Sequence, residues 1–237
     1  MQKSITISTQ SSIGFLTQQP MLARDFRKLL SNWLLLQPSA LQELPNLPAL
    51  FQRTSEGERL NSSSPFRFEA QPQMQWVHGV GPQAASLIEE LSIFCTQHAH
   101  SLPATLAAPK LVITPVCIAF DRPTPYTASQ LIVAKNAQQF ERWMGSDPEA
   151  KARRVSEVVQ KAMSMQSATL GHTPPPELFA ASTVNIHFEW SEPKLQTMQS
   201  KAYVRIVTAS FNLPCEVTGS WAAGPLNNKG YGNISRA

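Results

Sequence analysis

No run of eighteen consecutive apolar residues occurs in the chain, so the sequence holds no candidate membrane-spanning helix. The opening residues, Met1-Gln2-Lys3-Ser4-Ile5-Thr6-Ile7, lack the long apolar core of a secretory signal. Cysteine is scarce and odd in number. Cys95, Cys117 and Cys215 are scattered, which argues against a disulfide framework and for a reducing, cytoplasmic location. No Cys/His cluster has metal-ligand spacing. There is no Walker loop, no HExxH pair, no Ser-His-Asp order and no paired-carboxylate motif. The expectation is a protein that uses neither metal nor cofactor. Charge is sparse as well: 15% of the residues are Asp, Glu, Lys or Arg. The formal net charge is +4 and the isoelectric point about 9.1, a basic excess that fits an anionic partner but is common among soluble proteins.

What is present is enough apolar material for one large domain or two small ones: 42% of 237 residues. Residues 3–9 alternate apolar and polar side chains and predict a short strand, followed by a loop through Gly14 and Pro20. Residues 21–36 place Leu22, Phe26, Leu29, Leu30, Trp33 and Leu36 at helical spacing, with Arg24, Arg27 and Lys28 mostly off that stripe. Residues 38–65 are rich in Pro, Ser and Gln and predict a loop with one helical turn near residues 47–51. Two strands are expected at 65–69 and 74–78, a helix at 83–98 and a strand at 110–120. The order strand, helix, strand, strand, helix, strand is that of a ferredoxin-like unit. The turn at 121–125 is a candidate boundary. Beyond it the sequence predicts a strand at 129–134, a helix at 136–144, and a helix at 147–165 capped by Asp147 with Pro148 behind it. Strands at 182–190 and 201–212 complete a second, less regular unit of the same kind. The expected fold is therefore α+β: tandem ferredoxin-like (RRM-like) units, residues 1–122 and 123–237, the second ending in a glycine-rich loop.

Glycine is rare, ten residues in all, yet Gly219, Gly224, Gly230 and Gly232 crowd the C-terminal stretch. Such positions serve positive φ or close approach of another backbone. Beside Asn227, Asn228, Lys229 and Arg236 they describe a loop whose N–H groups and cations face an anion such as a phosphate chain. Tyr231 and Trp221 offer stacking surface for a base. A glycine-rich hairpin without a ligand is the competing reading. The helix at 147–165 carries Lys151, Arg153, Arg154 and Lys161, a basic run suited to the phosphates of an RNA stem-loop or, equally, to solvent.

The run from the apolar segment Tyr203-Val204-Arg205-Ile206-Val207 to Gly224, Lys229, Gly230 and Gly232 resembles the C-terminal signature of the RAMP superfamily of CRISPR-associated proteins. Within it the chain looks most like the Cas-six-like endoribonucleases that process CRISPR RNA, in particular those of type IV systems. The resemblance implies metal-free RNA cleavage in which a 2′-hydroxyl attacks the adjacent phosphate, leaving a cyclic phosphate and a free 5′-hydroxyl. It also implies CRISPR RNA and the backbone subunits of a type IV effector complex as partners. Many members place a histidine near the first helix; here none precedes His78. Type IV relatives rely on arginines instead, which points to Arg24, Arg27 and Arg236. A guanidinium stays protonated and is no general base, so its part is to hold phosphate bidentately and neutralise developing charge. From the basic helix, Lys151, Arg153, Arg154 and Lys161, and from the glycine loop, Gly224, Asn228, Lys229, Gly230, Tyr231 and Gly232, are the expected RNA contacts. The alternatives are a non-catalytic RNA-binding subunit that caps the 5′ handle, and an unrelated binding protein with a fortuitous loop.

Overall fold

The computed structural model describes residues 4–51, 64–134, 136–189, 194–196, 201–203, 205–226 and 230–237. In chain order these form β1 (Ser4–Thr17), α1 (Ala23–Leu35), α2 (Ala40–Glu43), α3 (Leu47–Leu50), β2 (Phe66–Ala70), β3 (Met74–Val80), α4 (Pro82–Gln97), β4 (Leu106–Ala119) and β5 (Thr124–Leu131). There follow α5 (Ala137–Met144), α6 (Pro148–Thr169), β6 (Ser182–Glu189), β7 (Lys194–Gln196), β8 (Lys201–Tyr203), β9 (Ile206–Leu213), β10 (Glu216–Val217), β11 (Trp221–Ala222) and β12 (Asn233–Arg236). Contacts divide them into two compact units. One comprises Ser8–Val116 with Asn228–Gly230; the other comprises Met1–Ile7, Cys117–Asn227 and Tyr231–Ala237.

In the first unit the strands lie in the order β4-β1-β3-β2, with β3 antiparallel to both β1 and β2. Together with α1 and α4 this is the ferredoxin-like βαββαβ arrangement. The helical spacing of α1 works as read: Ala23, Phe26, Leu30, Trp33 and Leu34 are buried. Phe26 packs between Phe15, at 5.6 Å, and Phe68, at 5.9 Å. Burying one such side chain contributes about 1.5–3 kcal/mol, so this stripe fixes which face of α1 meets the sheet. Helix α4 sits close on β3, and Gly79 permits this, since a Cβ there would run into the Ala84 backbone. The expected loop through Gly14 is instead strand. β1 continues to Thr17 because the Trp76 ring lies over Gly14, where a Cβ would stand 2.7 Å from Cζ3. The segment after α1 holds two short helical pieces, α2 and α3, rather than one turn.

In the second unit the order is β11-β12-β5-β9-β6, with β5 antiparallel to both β12 and β9, and β9 antiparallel to β6 as well. Its four main strands repeat the spatial order of the first unit: last, first, third, second. Helices α5 and α6 occupy the first crossover. The second crossover, residues 214–232, shows only the short strands β10 and β11 among its described residues. Asn136 caps α5 by accepting from the Gln139 N–H at 2.9 Å, and Asp147 caps α6 by accepting from the Ala150 N–H at 2.8 Å. That bond holds the Asp147 carboxyl below its usual range. Helix α6 buries Val155, Val159, Met163 and Ser167 and runs past the expected end to Thr169.

Two strand expectations are corrected. The strand expected at 129–134 is β5, starting at Thr124 and broken near its end by a bulge where Gln130 has φ 52°. Pro125 forfeits one ladder N–H, yet its carbonyl accepts from the Ala237 N–H at 3.1 Å. The long strand expected at 201–212 is two, β8 and β9, with Val204 outside the described residues. Trp190, expected at the end of β6, also lies outside them.

Candidate functional site

Arg24 and Arg27 lie in the first two turns of α1. Arg24 is partly exposed, its Nε 3.7 Å from Asp25 Oδ1. Arg27 is held more firmly. Its Nη2 donates to the Phe51 carbonyl at 2.8 Å, and its guanidinium lies 5.6 Å from the Phe51 ring and 5.7 Å from that of Phe68. These contacts tie α1 to the segment after α3 and engage much of Arg27 within the unit. Helix α1 begins at Leu22 without a side-chain cap, so its first N–H groups keep the partial positive charge of a helix start. Gly230 lies against this start. A Cβ on it would overlap that of Ala23 and stand 2.9 Å from the Phe68 carbonyl oxygen, and its φ is +87°. The C-terminal loop thus touches α1 one residue before Arg24, through a position only glycine can fill.

Gly224, Tyr231 and Gly232 belong to the second unit. Gly224 has φ +78° and a hypothetical Cβ 3.0 Å from the Ile132 carbonyl oxygen. Gly232, φ +69°, would drive a Cβ into the Ala223 carbonyl oxygen. Its own carbonyl accepts the Ala223 N–H at 2.8 Å, and its N–H donates to the Gln130 carbonyl at 3.2 Å. Tyr231 packs into a cluster with Ile132, Ile206 and Leu226, and Trp221 packs 5.6 Å from Phe179. Both rings are buried, at 3% and 2% exposure, so their faces are given to the core. Asn227, Asn228 and Lys229 lie outside the described residues.

On α6 the buried stripe leaves Arg153, Arg154 and Lys161 exposed and Lys151 half-buried. Arg153 pairs with Glu149 at 3.3 Å and Arg154 with Glu157 at 3.4 Å, while Arg154 Nε donates to the Val133 carbonyl at 3.2 Å. Exposed pairs of this kind are worth about 0–1 kcal/mol, so a phosphate can outcompete the carboxylates. Neutralising Lys151, Arg153 and Arg154 together should reduce the log–log salt slope of hairpin RNA binding by about one per lost phosphate contact. A slope equal to the parent's, measured by titration at several salt concentrations, takes this helix out of the interface.

Arg236, on β12, has its Nη1 2.8 Å from Glu216 Oε1. Arg122, in the turn before β5, reaches the other oxygen of the same carboxylate at 2.5 Å. Sequence reading missed both partners: Arg122 falls in a proline turn and Glu216 in a two-residue strand, with no periodic signal to join them.

His78 immediately precedes Gly79. It lies on β3 in a buried polar network of the first unit. Its Nδ1 is 2.9 Å from Ser12 Oγ and 3.2 Å from Gln10 Nε2, and its Nε2 is 3.1 Å from Glu69 Oε2. Burial raises the Glu69 carboxyl, but the hydrogen bond and charge of His78, helped by Gln71, leave it below its ordinary value. Both ring nitrogens are thus occupied within the unit. Arg67, the register partner of His78, is 3% exposed, and burial pushes its guanidinium down to about 10. The alternation Phe66-Arg67-Phe68-Glu69 was the available signal that Arg67 and Glu69 share the face opposite the core.

The family described as type IV CRISPR-associated endonuclease Csf5 matches residues 18–237 of the chain. The fold is similar to that of a solved structure described as Csf5, a CRISPR-Cas type IV Cas6 crRNA endonuclease. That likeness has a TM-score of 0.67 at 14% identity and covers 97% of this chain and 100% of the other. A crystal structure of Cas6b is matched with a TM-score of 0.60 at 12% identity, over 97% and 99% of the two chains. At these identities the structures share a fold and little sequence. No curated protein is matched by the sequence.

Proposed function

The chain belongs to the type IV CRISPR-associated endonuclease family Csf5, and from that membership we propose that it cuts CRISPR precursor RNA beside a repeat hairpin and stays bound to the product within a type IV effector complex. The chemistry is transesterification without a metal ion. The 2′-hydroxyl oxygen attacks the adjacent phosphorus, the bond to the 5′-oxygen breaks, and the proton lost by the nucleophile is made good at the leaving oxygen. The products are a 2′,3′-cyclic phosphate and a 5′-hydroxyl. Such a reaction needs in-line geometry and stabilisation of charge on the phosphorane oxygens.

The observation that carries this reading is the seat of Gly230 on Ala23, which brings the C-terminal loop to the uncapped start of α1 beside Arg24. N–H groups at a helix start and an adjacent guanidinium form an anion-binding arrangement. Arg24 is assigned to the phosphate undergoing attack, and Arg236 to binding and neutralising phosphate from the second unit. Arg27, fastened to the Phe51 carbonyl and two rings, supports α1 and contributes charge from behind. Lys151, Arg153, Arg154 and Lys161 are assigned to the backbone of the repeat stem, and Asn228 and Lys229 to phosphates at the loop.

Purified protein incubated with a repeat hairpin RNA in EDTA should cut it once, leaving the cyclic phosphate. The same RNA with 2′-deoxyribose at the scissile nucleotide should bind and remain intact. Loss of cutting in EDTA overturns the metal-free mechanism. Binding without cutting under any condition replaces it with a subunit that caps the 5′ handle.

A further inference from the structure

Glu216 is the least exposed member of an ion cluster in the second unit. Its side chain is 13% exposed; Arg236 Nη1 donates to its Oε1 at 2.8 Å, and Arg122 Nη1 stands 2.5 Å from its Oε2 as an ion pair without hydrogen-bond alignment. Both arginine side chains remain largely open, at 50% and 61%. The backbone that carries them is fixed. Glu216 pairs with Ala119 across β10 and β4. Its neighbour Val217 donates its N–H to Tyr126 Oη at 2.8 Å, and Tyr126 is the register partner of Arg236. Thr124 Oγ1 holds the Arg122 carbonyl at 2.9 Å. One carboxylate is neutralised by one guanidinium, so this cluster carries a surplus positive charge. Two guanidiniums gathered on one carboxylate, with one unit of charge unmatched, fit a phosphodiester.

Building on the RNA cleavage proposed above, we propose that Glu216 is a positioning residue that aims Arg122 and Arg236 together at the RNA backbone. Arg122 is thereby a further phosphate contact. The carboxylate fixes the rotamers of both arginines before RNA arrives, so their ordering does not have to be met during binding. Positive charge is then presented at a set place rather than spread over mobile side chains.

The test separates aim from charge. Glu216→Gln keeps the shape of the side chain and removes its charge. Its RNA affinity should equal or exceed the parent's, with a salt slope steeper by about one, because a cation is freed. Its cleavage at saturating protein should nonetheless slow on the order of tenfold to a hundredfold, as misplaced contacts do. In a background with Arg122→Ala and Arg236→Ala together the same substitution should add no further slowing, since its effect passes through these two arginines. Arg122→Ala should lower the salt slope by about one, and Arg122→Lys should restore the slope but not the rate.

A folded Glu216→Gln that cuts at the parent rate overturns the proposal. So does slowing that persists unchanged when both Arg122 and Arg236 are alanine. If Glu216→Gln fails to fold, the Arg122 pair decides: an Arg122→Ala slope equal to the parent's overturns it. If the parent binds hairpin RNA without cutting it, the cleavage reading falls, and the same Arg122→Ala slope still judges the proposal separately.

Discussion

Arg24→Ala should slow single-turnover cleavage, measured at saturating protein, about a hundredfold to a thousandfold while RNA still binds. A preorganised donor aimed at charge that develops in the transition state is worth about 3–4 kcal/mol, and its loss falls on the rate of the bound complex. A contact made equally to ground state and transition state would weaken affinity and leave that rate alone. Arg24 is suited to the first role by position. It follows Ala23, on which Gly230 rests, and it stands in the first turn of an α1 that has no side-chain cap. Its Nε stands 3.7 Å from Asp25 Oδ1. Arg24→Lys should rescue poorly, because an ammonium lacks the planar fork. Arg27→Ala makes the contrast. It removes a hydrogen bond to the Phe51 carbonyl and contact with two aromatic rings, so its main effect should be a loss of stability of about 1–3 kcal/mol. If Arg24→Ala cuts at the parent rate once saturated, while Arg27→Ala is slow at full stability, the two assignments are reversed.

What was legible in the sequence follows from the range of the forces involved. Helices α1, α4 and α6 could be read because their apolar residues recur at helical spacing, and the Asp147-Pro148 start of α6 needs only local chemistry. The first unit's strand and helix order followed from that. The continuation of β1 through Gly14 could not be read, because its cause is the Trp76 ring on a different strand. The early start of β5 was hidden by Pro123 and Pro125, which locally signal a turn, while pairing with β9 and β12 overrides them. The same division runs through the site. The place of Arg24 and Arg27 off the apolar stripe of α1 is a local fact. That Arg27 is spent on Phe51 and Phe68, that Glu216 joins Arg122 to Arg236, and that Tyr231 is buried are facts of tertiary contact. The glycines show both sides at once. Their clustering marked a special backbone, but the atoms they make room for are named only by the fold.

Gly232→Ala should therefore destabilise the protein far more than Gly171→Ala, although both glycines have positive φ. Gly171, at +83°, has nothing within 4 Å of an added Cβ, so its substitution costs only the strain of an alanine in a left-handed conformation, about 1–2 kcal/mol. Gly232, at +69°, carries the same strain and also faces the Ala223 carbonyl oxygen, which an added Cβ would overlap. That oxygen is backbone and cannot swing aside. Ala223 is held by its hydrogen bond to the Gly232 carbonyl, and Gly232 by its own to the Gln130 carbonyl at the β5 bulge. Relief requires opening the start of β12, the strand that presents Arg236. The expected loss is about 3–5 kcal/mol, at the upper end for a single substitution. Urea unfolding of the two variants beside the parent measures the difference, read as a shift in midpoint at constant slope. RNA binding then distinguishes two uses of the loop. A Gly232→Ala protein that is held folded, at low temperature, and still binds RNA like the parent has lost a structural glycine. One that is as stable as Gly171→Ala but no longer binds RNA places the close approach at phosphate rather than at Ala223.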